Sequence, residues 1–273
     1  MNPKPRKNLF VRICNVLRRR TKALIFELSY ARFRSSVRID FCTFADGVVH
    51  TSARLADEVH RSRCFDSVTQ HSPTTLGKGF YQIFHQQIQH RRGWGFWCWK
   101  PWILQLQLQA MNFGDILVYA DSGSTFAVDP SVPTSGVEQT RRVFKNLVAR
   151  FLKDPSLDLL VPVPFDPWRV EQWTKADLLH RFQVQGNRTV LEQQVVEAGR
   201  LMIRKTDASC AFVKQWCETA ADIQMISDDP STNPESPAFI EHRHDQAIFN
   251  LLLHRLRWET GLEYLIHATR LKN

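Results

Sequence analysis

The sequence predicts an α/β fold, with a mostly parallel central sheet flanked by helices. Three observations carry this. Strand-like runs alternate along the chain with segments of helical periodicity. One of them, Ile116-Leu117-Val118-Tyr119-Ala120, is apolar without a break, as expected of a strand covered on both faces. The composition, 43% hydrophobic and 23% charged over 273 residues, is that of a globular chain long enough to bury a real core. Disordered, collagenous and fibrous classes are thereby excluded.

Residues 1–34 form a basic amphipathic segment. Leu9, Phe10, Ile13, Val16 and Leu17 recur at helical spacing and Arg18, Arg19 and Arg20 follow. A helix lying on an anionic membrane surface and a basic tail packed on its own domain both fit this pattern. The chain's net charge of +9 comes from here: residues 1–38 hold 11 basic side chains against one acidic, Glu27, while the other 235 hold 25 basic and 26 acidic. A near-neutral body has no field for wrapping a polyphosphate, so no nucleic-acid partner is expected.

Residues 35–273 are expected to form a single domain. Val37, Ile39, Phe41 and Phe44 alternate as a strand that ends at Ala45-Asp46-Gly47, where the glycine permits a turn. Asp115–Asp121, Leu159–Val163 and Gly199–Ile203 supply further strands. Helices are predicted over Ser52–Arg61, Val137–Leu152, Lys175–Phe182, Cys210–Ala221 and Asp245–Arg255. Ile103–Gln109 alternates Leu and Gln like a strand, but both residues favour helix and Pro101 suits a first helical turn, so a helix is predicted. Pro130–Gly136 and Ser227–Pro237 read as Pro/Ser-rich loops, the second long enough for a lid or a binding segment.

The six cysteines are scattered without CxxC pairs, which suits buried thiols in a reducing compartment. No apolar run approaches the roughly 18 residues needed to span a bilayer. Nor does a small-residue cleavage site follow an apolar core, so a cytoplasmic address, peripheral at the inner face of a membrane, is the expectation.

Four segments carry potential chemistry. Asp121-Ser122-Gly123 closes the buried apolar run. Ligands of open α/β sheets bind beyond the carboxyl ends of strands, where a carboxylate can hold a divalent cation and a glycine lets a diphosphate approach; the same residues also make an ordinary turn. Glu241-His242-Arg243-His244-Asp245-Gln246 sets five ionisable groups and an amide ahead of an apolar run. His242 and His244 are a compact potential ligand pair, and a solvated helix cap is the plainer alternative. The stretch Arg91–Trp102 contains Trp94, Trp97, Trp99 and Trp102. Aromatic faces stack on sugar rings or bases, and Arg92 and Lys100 can neutralise phosphate, although aromatic stretches equally build cores. Glu171–Asp177 is the fourth segment, and it also reads as a plain helix start.

In this order, Gly93-Trp94-Gly95-Phe96-Trp97-x-Trp99-Lys100-Pro101, Gly114-Asp115-Ile116 through Tyr119-x-Asp121-x-Gly123, Trp173-Thr174-Lys175-x-Asp177 and His244-Asp245-Gln246 resemble a family of bacterial proteins related to polysaccharide glycosyltransferases, over roughly residues 37–265. More distantly, Asp245-Gln246-x-Ile248-x-Asn250 is similar to the Asp-Gln-Asp-Ile-Leu-Asn stretch of family 8 retaining glycosyltransferases. That family also ends a strand with Asp-x-Asp; here Gly123 replaces the second Asp.

The resemblance implies a GT-A-like nucleotide-sugar-binding fold that moves a hexose from a UDP- or GDP-sugar to a hydroxyl of a glycan or lipid-linked acceptor in polysaccharide synthesis. Asp121 would then bind the donor diphosphate through Mn²⁺ or Mg²⁺, with His242 or His244 as further ligands, or the reaction would need no metal. Lys100 would assist electrostatically. Phe44, Ala45 and Asp46 would contact the nucleotide, with Arg92, Ser122, Gly123 and Lys175 completing the donor site. Asp245 and Gln246 would face the anomeric carbon, Asp245 as base or ion-pair stabiliser. The rival readings are a nucleic-acid binder and a non-catalytic carbohydrate-binding protein using the Trp segment and the basic tail. Neither requires the 241–246 cluster.

Overall fold

The computed structural model describes residues 9–47, 49–127, 136–164 and 167–268, with the side chains of all but 9–14, 19, 49–52 and 268. The chain forms two compact units, Met1–Val37 and Arg38–Asn273. In the first, helix α1 runs over Leu9–Ser36. Its Val16, Leu17, Leu24, Ile25 and Leu28 are half or more exposed. No helix among the described residues is long and apolar enough to cross a membrane.

The second unit begins with β1 (Ile39–Phe44), α2 (Val49–Ser62), β2 (Ser67–His71) and α3 (Gly77–Ile83). An irregular turn, α4 (Gly93–Phe96), leads into α5 (Trp99–Ala110), followed by β3 (Ile116–Ala120), β4 (Ser124–Phe126), α6 (Val137–Lys153) and β5 (Leu159–Val161). Two short helices, α7 (Ala176–Arg181) and α8 (Arg188–Leu191), precede β6 (Arg200–Arg204), α9 (Asp207–Ala220), α10 (Ile223–Ile226) and α11 (His244–Leu252). β7 (Trp258–Thr260) and β8 (Ile266–Ala268) follow.

Six strands form one sheet in the order β2-β1-β3-β6-β5-β7, and β4 pairs with β8 apart from it. β1 runs parallel to β2 and β3, and β5 parallel to β7; β6 is antiparallel to both of its neighbours. The expected mostly parallel α/β sheet is therefore present. Strands β1, β3, β5 and β6 are buried on both faces because alternate side chains pack into different layers. Phe41 meets Phe65 and Phe126 on one face, at 5.3 and 6.4 Å between ring centroids. On the other face Cys42, Phe44, Tyr119 and Leu201 join a core with Leu104 of α5, Trp216 of α9 and Phe249 of α11.

The reversed direction of β6 positions the cleft described below. Ala120 pairs with Arg200, so the amino end of β6 lies at the carboxyl end of β3, and Asp121 N donates to Gly199 O at 2.9 Å. Proline ends β5 at Val161, short of the expected Val163, because Pro162 has no N–H to give the ladder. Ile103–Gln109 is helical, as its residue types required. Of the expected loop Pro130–Gly136, residues 130–135 lie outside the described ones. Cys42, Cys64, Cys98 and Cys217 are buried, and Cys210 is partly exposed.

Candidate active site

A cleft of about 290 Å³ opens at the carboxyl end of β3, and Lys100, Asp121, His244, Asp245 and Gln246 are among its walls. Three separated segments deliver them.

The first is the aromatic stretch. Gly93, Trp94, Gly95, Phe96 and Trp97 all take positive φ, from +47° to +87°. L-residues pay roughly 1–2 kcal/mol each for this conformation, which only glycine adopts freely. The glycines are also needed for space: a Cβ on Gly93 would lie 2.3 Å from Cδ2 of Trp97. This left-handed turn sets Trp97 in the cleft wall and starts α5, with Lys100 in its first turn. The other tryptophans of the stretch build structure. Trp99 stacks on Phe44 at 3.9 Å, and Trp102 donates from Nε1 to Leu76 O at 3.0 Å.

The second segment is the end of β3. Tyr119, fully buried, donates its hydroxyl to Asp121 Oδ1. Burial and the neighbouring Asp121 push the Tyr119 hydroxyl far above its ordinary range, so it keeps its proton and stays a donor. A Cβ on Gly199 would lie 2.5 Å from Asp121 Oδ2, so the absence of a side chain there makes room for the carboxylate. Asp121 stays 42% exposed and faces the cleft.

The third is the start of α11, where His244, Asp245 and Gln246 follow one another. Lys100 Nζ lies 2.9 Å from Asp245 Oδ2 and 3.6 Å from Asp121 Oδ1. Burial opposes the Lys100 charge, yet the two carboxylates outweigh it and raise the ammonium above its ordinary value. Burial raises the Asp245 carboxyl to about 6 against the pull of Lys100. The triad is thus a buried ammonium held between two carboxyl groups, of which Asp121 is the partly exposed one.

The remaining expected site residues divide. Arg92 and Gly123 line the cleft, and Arg92 pairs with Asp228 at 3.1 Å and with Glu241. Ser122 lies beside the cleft-lining pair Asp121 and Gly123 without itself lining it. Phe44, Ala45 and Asp46 end the adjacent strand outside the lining: Phe44 is core, Ala45 N donates to His71 O at 3.1 Å, and Asp46 is exposed.

Lys175 also stands apart from the cleft. Its Nζ donates to the carbonyls of Asp229, at 2.8 Å, and Ser227, at 3.4 Å. Two residues on, Asp177 accepts from the backbone N–H groups of Thr232 and Asn233, both at 2.9 Å. The Trp173–Asp177 segment is thus the brace of the 227–237 loop. Held this way, the loop presents Asp228 to Arg92 at the cleft margin.

His242 turns away from the cleft as well. Its Nε2 is 3.1 Å from Met225 O, and Lys175 N donates to its Nδ1 at 3.4 Å, so both nitrogens are used. His244 is buried in the cleft wall. Among the described residues no group of three His, Cys, Asp or Glu is placed to hold a metal ion. Asp121 Oδ1 is moreover taken up by Tyr119 and Lys100. The side chains present do not fit a divalent cation held by the protein alone.

Glu197, Gly199, Arg200 and Arg243 also line the cleft and were not expected there. Arg200 pairs with Glu197, and the Arg243 guanidinium lies over Trp173 and Trp168, 4.4 and 4.9 Å from the ring centroids. Arg243 was legible as part of the 241–246 cluster. Glu197 and Gly199 carried no signal, because the antiparallel pairing of β6 is what brings them in.

No protein-family model matches this chain, and no curated protein matches it. Among solved structures it is similar to a glycosyltransferase involved in the glycosylation of the major capsid of PBCV-1, at 10% identity and a TM-score of 0.41 over 82% of each chain. It is also similar to mouse xyloside xylosyltransferase 1 in its apo form, at 11% identity and a TM-score of 0.42 over 82% of this chain and 71% of that one. At such identities activity does not transfer with likeness, and this chain's chemistry has to come from its own residues.

Proposed function

We propose that the cleft transfers a hexosyl unit from a UDP- or GDP-sugar to a hydroxyl of a glycan or lipid-linked acceptor, with a GT-A-like division of labour. The observation that carries this reading is the Lys100 ammonium held between Asp121 and Asp245 at the carboxyl end of β3. Sheet ligands bind at such an edge. Three of the four segments that resemble polysaccharide glycosyltransferases meet at this one triad, and the fourth braces the loop beside it.

In the reaction the leaving diphosphate develops negative charge and the anomeric carbon positive charge. Lys100 supplies a fixed cation, Asp245 holds that cation in place, and Asp121 presents its carboxylate to the sugar side of the cleft. Tyr119 orients Asp121 and keeps its Oδ1 from turning away. Arg243, pressed against two indoles, offers a guanidinium of fixed orientation to an anionic group.

The test is release of free nucleotide from a panel of UDP- and GDP-sugars, with Mn²⁺ and with EDTA, for the wild type and Asp121→Asn. The variant is expected to lose turnover at unchanged melting temperature, since Asp121 is well exposed. Full turnover in Asp121→Asn would refute the reading; sugar binding without turnover in the wild type would replace it with a non-catalytic carbohydrate-binding role.

The basic N-terminal helix is assigned to an anionic membrane surface. Exposed Leu17, Leu24, Ile25 and Leu28 share a helix with Arg18, Arg20 and Lys22, a combination that suits acyl chains beneath acidic headgroups. The protein should sediment with phosphatidylserine-containing vesicles and not with neutral ones. Equal retention by both would remove the electrostatic part of this assignment.

A further inference from the structure

We infer that Nε2 of His244 accepts a hydrogen bond from a hydroxyl group of the substrate. The inference rests on the glycosyl-transfer reading and adds to it a residue whose role that reading leaves open.

The ring's own contacts fix its tautomer. Nδ1 lies 2.8 Å from Ile226 O, and a carbonyl only accepts, so Nδ1 carries the proton. Burial lowers the basicity of the ring, which leaves it neutral and gives Nε2 a free lone pair. That atom is buried and has no hydrogen-bond partner, and His244 belongs to the cleft wall. Asp228 Oδ1 is 3.5 Å from it and is itself an acceptor, already engaged by Arg92 Nη1 at 3.1 Å. Two acceptors facing each other need a donor that the protein does not provide.

The backbone holds the ring in this pose at a cost. His244 has φ +49°, a conformation L-residues avoid, on the first residue of α11. Its ring packs on Phe96 and Trp97, with centroids 5.0 and 5.6 Å away. Trp97, partly exposed, also lines the cleft, so an indole lies beside the ring that carries the lone pair. A polyhydroxylated ligand meets both features at once.

His244→Asn is the discriminating variant. Asparagine tolerates the left-handed backbone, and its amide can still donate to Ile226 O, so the change removes Nε2 together with the ring's packing on Phe96 and Trp97. Calorimetric binding of bare UDP or GDP and of the active sugar nucleotide is measured beside transfer to an acceptor and the melting temperature. We expect bare nucleotide binding to stay at its wild-type value, while melting falls by the lost ring packing alone. If the hydroxyl belongs to the donor sugar, sugar-nucleotide binding weakens roughly 5- to 10-fold. If it belongs to the acceptor, donor binding holds and transfer falls at least about 10-fold.

His244→Gln, which extends an amide oxygen towards the lost Nε2 position, should recover part of either loss. Wild-type donor binding and transfer in His244→Asn would overturn the inference while leaving the transferase reading intact. An equal loss for bare nucleotide would also overturn it, as the mark of a structural role. A wild type that neither binds nor turns over any sugar nucleotide removes both.

Discussion

Lys100 Nζ lies 2.9 Å from Asp245 Oδ2, and both side chains are at least 95% buried. Taking two charges out of water costs several kcal/mol per ion, and each is tolerable only because the other is present. Removing one partner is therefore worse than removing both. Lys100→Met should destabilise the protein by roughly 3–5 kcal/mol, whereas Lys100→Met combined with Asp245→Asn should recover much of that loss. Urea unfolding of the four species closes the cycle. Additive effects would mean that the two groups are not energetically coupled.

Gly199 and Asp121 give a second prediction. A methyl on Gly199 would meet Asp121 Oδ2 at 2.5 Å, and the part most able to yield is the half-exposed carboxylate. Gly199→Ala should therefore swing Asp121 out of line with Lys100 while leaving the sheet intact. Nucleotide release is expected to fall on the order of 10- to 100-fold, since misplacement by an ångström is enough for such a loss. The melting temperature should shift by less than about 4 °C. A large drop in stability with retained turnover per folded molecule would contradict this.

The same pair marks how far the sequence could be read. Asp121 was visible because an unbroken apolar strand ends there, and Lys100 because it follows a glycine-spaced aromatic run. The five consecutive positive φ values around Gly93 and Gly95 were not read from the sequence. Gly199 was hidden, because its place beside Asp121 depends on the antiparallel register of β6. Strand β2, Ser67-Val68-Thr69-Gln70-His71, escaped notice as a half-exposed edge strand without an alternating apolar face. The resemblance put Lys175 at the donor site, and His242 read as half of a potential ligand pair. Only the path of the 227–237 loop shows that they hold backbone instead.

Asp177 makes the brace pH-dependent. Burial pushes its carboxyl up, but the backbone N–H groups of Thr232 and Asn233 and the amides of Gln224 and Asn233 outweigh burial and hold it well below the usual carboxylate range. The folded value lies below the unfolded one, about 3.9, so the ionised form stabilises the fold. That contribution is complete above about pH 5 and is lost as pH falls through 4 and below. Asp177→Asn cannot titrate and would turn an amide N–H towards donors, so at pH 7 it should be less stable by roughly 2–4 kcal/mol. The gap to wild type should then narrow steadily between pH 5 and pH 3, because only the wild type has ionisation left to lose. Unfolding free energies for both proteins at four pH values decide the matter. A gap that stays constant over that window would mean that the carboxylate charge does not hold the loop.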